Sequence, residues 1–374
     1  MPHPDLQSLI NPHILSLHPY EPGKPIDDVA RELGLDPRTI IKLASNENPL
    51  GPSPRAIEAM QAHIHQMHIY PDGGAYHLRQ ALAQKHNIPP DHIVLGNGSN
   101  EIIELAFHAF TAPNQNQNVI ASRYAFVVYK LMAQLFNIPF IETPDRHLHH
   151  DLSAIYNAIT PHTKLIFIAN PNNPTGTRIP NDQLLSFIQS LPPHVILCLD
   201  EAYYEFLEDP LPSIDLVRQG YPIIVMRTFS KIQGLAGLRI GYGVCPPAIA
   251  DALQRSRQPF NTNALAQAAA LAALQDENHL HRTLDNNRQG RQLLEETFKA
   301  WQLPYLPTSA NFVLVKTGNG AHTFQSLLKR GIIVRSMVPY GLPEWIRVTI
   351  GTPEQNQRFL ENLKELLFNT HSRS

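Results

Sequence analysis

Cysteine is scarce: Cys198 and Cys245 are the only two in 374 residues. That is too few for a disulfide framework, and each lies in or beside an apolar run, which suits reduced, buried thiols. Long apolar runs are missing as well. No stretch approaches the ~18 residues that mark a membrane-spanning helix, and Met1-Pro2-His3-Pro4-Asp5 does not resemble a signal peptide, so a cytoplasmic protein without a membrane partner is expected. There is no basic excess either. Lys and Arg total 30 against 32 Asp and Glu, a net charge of −2, which argues against a nucleic-acid partner. Internal repeats and low-complexity segments are absent. Histidine, by contrast, is plentiful, with 19 residues. A helix would turn His63 and His65 to different faces, and no nearby acid or cysteine completes a tetrahedral set. His147, His149 and His150, in a polar stretch with Asp145 and Asp151, do not read as a ligand set either, so no metal is expected.

What the chain does contain is a series of short apolar runs, each ended by polar residues. Lys164-Leu165-Ile166-Phe167-Ile168 precedes Asn170-Pro171-Asn172-Asn173-Pro174-Thr175-Gly176. Val195-Ile196-Leu197-Cys198-Leu199 precedes Asp200-Glu201-Ala202-Tyr203, and Ile223-Ile224-Val225-Met226 precedes Thr228-Phe229-Ser230-Lys231. Runs of this length bounded by turn signals predict buried strands. The polar clusters then stand at the C-terminal strand ends, where open parallel sheets bind ligands.

An amide, a carboxylate, a phenol, a lysine and an arginine in that arrangement suit pyridoxal 5'-phosphate (PLP). That cofactor needs a lysine amine for covalent attachment and an acid to keep its pyridine nitrogen protonated; Lys231 and Asp200 fit. Asn173 and Tyr203 can donate to the ring's phenolate oxygen. Ser230 and Arg239 offer a hydroxyl and a guanidinium to the phosphate. Lys231, once displaced by substrate, is free to act as general base and acid. Taken alone, a lysine after a strand is ordinarily a solvated surface residue, Asp200 could be a cap and Tyr203 could be core. Their order along the chain argues otherwise. Arg239, Arg335 and Arg347 sit among apolar neighbours, where a buried guanidinium needs a partner.

One more turn fits the phosphate. His92-Ile93-Val94-Leu95 predicts a strand, followed by Gly96-Asn97-Gly98-Ser99-Asn100 and an apolar-periodic helix from Glu101 to Phe110. Such a turn presents free N–H groups and a positive helix end to an anion. A dinucleotide turn looks similar, but the third glycine of that fingerprint is missing here.

From Asn46 to about Ala273 strands and helices alternate, predicting an α/β fold with helices on both sheet faces. Residues 1–45 are proline-rich and irregular, with a helical pattern over Ile26–Leu33, and look like an arm that packs on the small domain or a partner subunit. Residues 46–275 form the expected large domain. After the helical stretches Ala264–Leu274 and His279–Trp301, strands near Phe312–Val315, Ile332–Arg335 and Trp345–Val348 suggest a small α+β domain over 276–374.

Asn-Pro-Thr-Gly, Asp-Glu-Ala-Tyr and Ser-Lys with a following arginine resemble the aspartate-aminotransferase superfamily, the fold type I PLP-dependent transferases. Within it, the chain is most similar to the histidinol-phosphate aminotransferases. That likeness rests on Leu43-Ala44-Ser45-Asn46-Glu47-Asn48-Pro49, Tyr70-Pro71-Asp72, Asn170 to Gly176, Ser309-Ala310-Asn311-Phe312 and Ile346-Arg347-Val348-Thr349-Ile350-Gly351-Thr352. It runs from about residue 20 to the C-terminus. The resemblance implies that Tyr124 stacks on the cofactor and that Tyr70 reaches the phosphate in the neighbouring subunit of a homodimer. It implies that Arg347 clamps the substrate anion, with Arg335 and Tyr20 assisting, and that Asn46 lines the substrate mouth. It also places the active site between the two domains and at the dimer interface. Ser99-Asn100 departs from the small-acidic pair of the family, which leaves backbone donors intact.

The expected activity is amino transfer between histidinol phosphate and 2-oxoglutarate, giving imidazole acetol phosphate and glutamate. An aromatic-amino-acid aminotransferase or a threonine-phosphate decarboxylase is the near alternative. A transcription regulator would need a helix-turn-helix region that the N-terminal arm is too short to hold, and a dinucleotide-binding domain leaves Lys231 and Asn173 unexplained.

Overall fold

The fold was obtained as a computed structural model that describes residues 6–17, 23–113 and 115–368. Seven strands build the central sheet: β1 (Ile93–Gly96), β2 (Asn118–Ser122), β3 (Phe140–Thr143), β4 (Thr163–Ala169), β5 (Ile196–Asp200), β6 (Ile223–Thr228) and β7 (Gly241–Val244). Their spatial order is β1-β7-β6-β5-β4-β2-β3. Only β7 runs against the others, pairing antiparallel with both β1 and β6. The fold class is therefore α/β with a mostly parallel sheet, as the alternating pattern predicts.

The strands are apolar throughout because helices cover both faces. Leu95, Ile120, Ile166, Ile168, Leu197, Leu199 and Val225 pack on one side with Leu78, Leu82, Leu184 and Ala269. Val94, Val119, Phe167, Cys198, Ile224 and Met226 pack on the other with Ile102, Phe107, Tyr129 and Leu253. The two cysteines are free and buried.

A second sheet lies toward the C-terminus, with the strand order Tyr305–Leu306, Phe312–Lys316, Trp345–Thr349, Arg335–Ser336, all antiparallel. The single strand expected over Ile332–Arg335 is in fact two. Ile332–Ile333 pairs in parallel with Ile41–Lys42, and Arg335–Ser336 joins the C-terminal sheet. Val334, 1% exposed, lies between them in the core. The expected helix over Ile26–Leu33 forms with those bounds, and its Val29 packs with Ile40, Leu328 and Ile333. No helix among the described residues is long and apolar enough to cross a membrane.

All parallel strands end on one edge, and β7 begins there. Gly241 lies opposite both Gly96 and Thr228, so β7 enters between the glycine turn and the segment carrying Lys231. Its lack of a side chain makes this approach possible. A Cβ at Gly241 would lie 2.5 Å from the Ser99 nitrogen and 2.9 Å from the Arg227 carbonyl oxygen. Both are backbone atoms with no room to yield. Gly241→Ala is therefore expected to destabilise the fold by ~1–3 kcal/mol, the range for overpacking. Equilibrium denaturant unfolding measures this, and a change within about 0.5 kcal/mol, typical of a neutral surface substitution, would contradict the account.

Candidate active site

Asp200 is the last residue of β5 and is 4% exposed. Its Oδ2 accepts a hydrogen bond from the Tyr129 hydroxyl at 2.7 Å, and Oδ1 accepts from the Ala202 N–H at 3.1 Å. Burial pushes its carboxyl above the usual range, while Tyr129, Ala202 and the charge of Lys231 pull it back. Lys231 follows β6 by three residues and is half-buried, its ammonium donating to the Ser45 carbonyl at 3.2 Å. Burial, reinforced by the charge of Arg347, lowers its amine from 10.5 to about 8. A lysine tuned in this way has a neutral, nucleophilic amine within reach near neutral pH.

Tyr203 and Asn173 complete the ring of donors. The Tyr203 hydroxyl accepts from Asn46 Nδ2 at 2.9 Å, which leaves its own proton free to donate. Burial raises this phenol to about 12, so it stays protonated. Arg347 Nη1 donates to Asn173 Oδ1 at 2.5 Å, which turns the amide's N–H₂ toward other acceptors. Both side chains are thus set as donors.

The glycine turn, β1 and the helix Ser99–Phe110 make the anion end of the cavity. Gly98 caps that helix at φ 77, with no side-chain cap on the helix N–H groups. Arg239 is held at φ 54 just before β7, in a loop rather than in the apolar strand its neighbours suggest. Its Nη1 donates to Ser230 Oγ at 3.4 Å and to the Ala236 carbonyl at 3.1 Å. A Cβ on Gly98 would meet Arg239 Nη2 at 2.5 Å. The missing side chain thus lets a guanidinium, a serine hydroxyl and a helix N-terminus converge, a fitting cradle for a phosphate.

The opposite wall is a knot of the segment 43–47 with the C-terminal sheet. Asn46, 1% exposed and at φ 55, receives a bond on its carbonyl from Asn311 Nδ2 at 3.0 Å and gives its N–H to Thr349 Oγ1 at 2.9 Å. Arg347 Nη2 donates to the Ala44 carbonyl at 2.8 Å. Arg335 lies directly opposite Arg347 across the paired strands, so the two guanidinium side chains share one face. Both line the cavity together with Lys231, Asp200, Asn173 and Tyr203.

Ser99, Asn100, Ser230, Arg239 and Asn46 line the same cavity. Two others, Tyr124 and Tyr70, are not among its lining residues. The Tyr124 ring packs with Leu314, Met337 and Leu342, and Phe126, two residues on, lines the cavity. Tyr70 is 79% exposed and stacks on Phe260 at 4.9 Å. Tyr20 lies outside the described residues. Tyr129, Phe126, Glu47 and the Ser45 carbonyl are site groups that the sequence does not reveal, because nothing in their local pattern separates them from ordinary core or loop positions. The buried pair of Arg227 and Glu201, at 2.8 Å, ties the ends of β5 and β6 behind the site. His150, one of the clustered histidines, is neutral there, its imidazole lowered to about 4 by burial, and bonds to Ser122 Oγ and the Ala169 carbonyl.

Comparison with known proteins agrees with this geometry. The family described as aminotransferase class I and II matches residues 38–363. A histidinol-phosphate aminotransferase of Akkermansia muciniphila is 47% identical over 363 residues, 97% of this chain and 99% of that protein. Histidinol-phosphate aminotransferase 2 of Ralstonia nicotianae is 48% identical over 361 residues, covering 95% and 96%. Among solved structures, the histidinol-phosphate aminotransferase of Sinorhizobium meliloti in complex with pyridoxal-5'-phosphate superposes with a TM-score of 0.86 at 27% identity, over 96% of this chain and 98% of that one. Aspartate aminotransferase of Thermus thermophilus with maleate shares the fold, with a TM-score of 0.81 at 23% identity over 96% and 99%. With a carboxylate, a lysine and a phosphate cradle gathered at the strand ends and these relatives spanning nearly the whole chain, the protein belongs to the class I and II aminotransferases.

Proposed function

We propose that the protein transfers the amino group of histidinol phosphate to 2-oxoglutarate, giving imidazole acetol phosphate and glutamate in histidine biosynthesis, with pyridoxal phosphate as cofactor. The observation that carries the substrate reading is the cross-strand pair Arg335 and Arg347. Two guanidinium side chains side by side on the cavity wall suit a doubly charged anion. A phosphate in one half-reaction and a carboxylate in the other both suit guanidinium forks. The names of the relatives point the same way.

When bound, the cofactor supplies a ring that withdraws electrons from the substrate carbon losing its proton. Asp200 would hold the pyridine nitrogen's proton, and Asn173 and Tyr203 would donate to the ring oxygen. Ser99, Asn100, Ser230 and Arg239 would bind the phosphate. The Lys231 amine would take a proton from the substrate's amine-bearing carbon and return it. Arg347 would orient the substrate so that the breaking C–H bond stands perpendicular to the ring, while Asn46 keeps the Tyr203 hydroxyl in place and Tyr20 and Arg335 add to the anion site.

We further propose a cytoplasmic homodimer, a division into arm, large domain and small domain at residues 45 and 275, and a Tyr70 that serves the neighbouring site. Tyr70 lies amid exposed Ile64, Met67, Ile69 and Phe260. An apolar surface of this kind is a natural subunit contact.

Transamination with 2-oxoglutarate should run fastest from histidinol phosphate in a panel with phenylalanine, tyrosine, aspartate and threonine phosphate. Arg335→Ala should slow the histidinol-phosphate half-reaction at least about tenfold more than the glutamate one, ~1.4 kcal/mol of differential binding. Equal losses in single-turnover rates would remove the phosphate role of Arg335, and an aromatic amino acid leading the panel would overturn the substrate assignment.

Mixing inactive Lys231→Ala chains with inactive Tyr70→Ala chains should restore activity, because one site of each heterodimer regains both residues. Verified heterodimers without activity would show that Tyr70 does not act across the interface.

A further inference from the structure

Tyr129 is fully buried and lies on the helix Val127–Leu135, behind Asp200 as seen from the cavity. Its ring stacks on Phe167 at 4.7 Å and meets Phe126 edge-on at 5.7 Å, and Phe167 in turn stacks on Phe107. For packing alone a phenylalanine would serve, since a buried hydroxyl costs free energy unless it is bonded. The hydroxyl donates to the Asp200 carboxylate at 2.7 Å. Burial and the neighbouring Asp200 charge push this phenol well above its ordinary value, so it remains a donor. A fixed donor on Oδ2 and the Ala202 N–H on Oδ1 hold the carboxylate as an ionised acceptor in one orientation.

We propose that Tyr129 is a positioning residue whose buried hydroxyl keeps Asp200 ionised and aimed at the ring nitrogen of the cofactor. This rests on the assignment of Asp200 to that nitrogen. The aromatic stack fixes the phenol, the phenol fixes the carboxylate, and the carboxylate meets the ring. The segment from Phe126 to Tyr129 would thus serve the site twice, once from its wall and once from behind.

The test compares two ligands on the ligand-free protein: pyridoxal phosphate and the analogue whose ring nitrogen is replaced by C–H. Wild type should bind the natural ring more tightly, and Tyr129→Phe should lose that preference by a factor on the order of ten, the scale of one charge-assisted hydrogen bond. Binding of the C–H analogue should stay near wild type, because it makes no use of the carboxylate. If Tyr129→Phe did not fold, Tyr129→Met fills the space without a donor and gives the same readout. A variant that weakens both ligands equally, leaving the ratio unchanged, would reduce Tyr129 to packing and overturn the proposal. A wild type with no preference between the ligands would instead remove the assignment of Asp200, and the proposal with it.

Discussion

A carboxylate carried to the end of a buried β-strand needs partners, and the partners of Asp200 set the plan of the site. Burial alone would favour its neutral form. The Tyr129 hydroxyl, the Ala202 N–H and the charge of Lys231 work in the opposite direction. Those partners come from a helix on one face of the sheet, from the turn after β5 and from the segment after β6. The parallel strands bring them together because their C-terminal ends share one edge. Behind them, the Arg227–Glu201 pair holds β5 and β6 in register. Each of these ions would be costly alone in the interior and is tolerable with its partner.

Around that centre, the segment 43–47 acts as a seam between the two sheets. Leu43 pairs with Ile333 and Thr349 through backbone bonds, Ala44 and Ser45 offer carbonyls to Arg347 and Lys231, and Asn46 connects Tyr203 to Thr349 and Asn311. The Tyr203 hydroxyl and the Arg347 guanidinium are thus held by one stretch of chain. A displacement of that stretch would disturb the Tyr203 hydroxyl and the Arg347 fork together.

Much of this is legible in the chain itself, for a physical reason. Strands covered on both faces are apolar throughout, so the polar residues that end them stand out: Asn173, Asp200 and Lys231 are visible as interruptions. Arg239 is visible as a charge among apolar neighbours, although its turn at positive φ is not. Contacts between distant segments leave no such trace. Asn46 and Tyr203 are 157 residues apart, and neither sequence pattern refers to the other. Tyr129 sits in an apolar helical pattern where an aromatic residue is ordinary core. The role of Tyr124 comes from resemblance alone, and its ring packs against Leu314 and Met337. The break at Val334 is hidden as well, since a single apolar residue there passes the chain from one sheet to another without changing the pattern.

The central claim is that Lys231 is the amine that takes the cofactor. Borohydride trapping of pyridoxal phosphate on the ligand-free protein, followed by peptide mapping, tests it directly. With its amine lowered to about 8, Lys231 is protonated and unreactive well below that pH and becomes nucleophilic as the pH rises through it. The account therefore predicts one dominant adduct, on Lys231, whose rate of formation climbs with a midpoint near 8 and then levels off. Adducts spread over surface lysines, or a rate still rising toward the ordinary lysine range near 10.5, would contradict it.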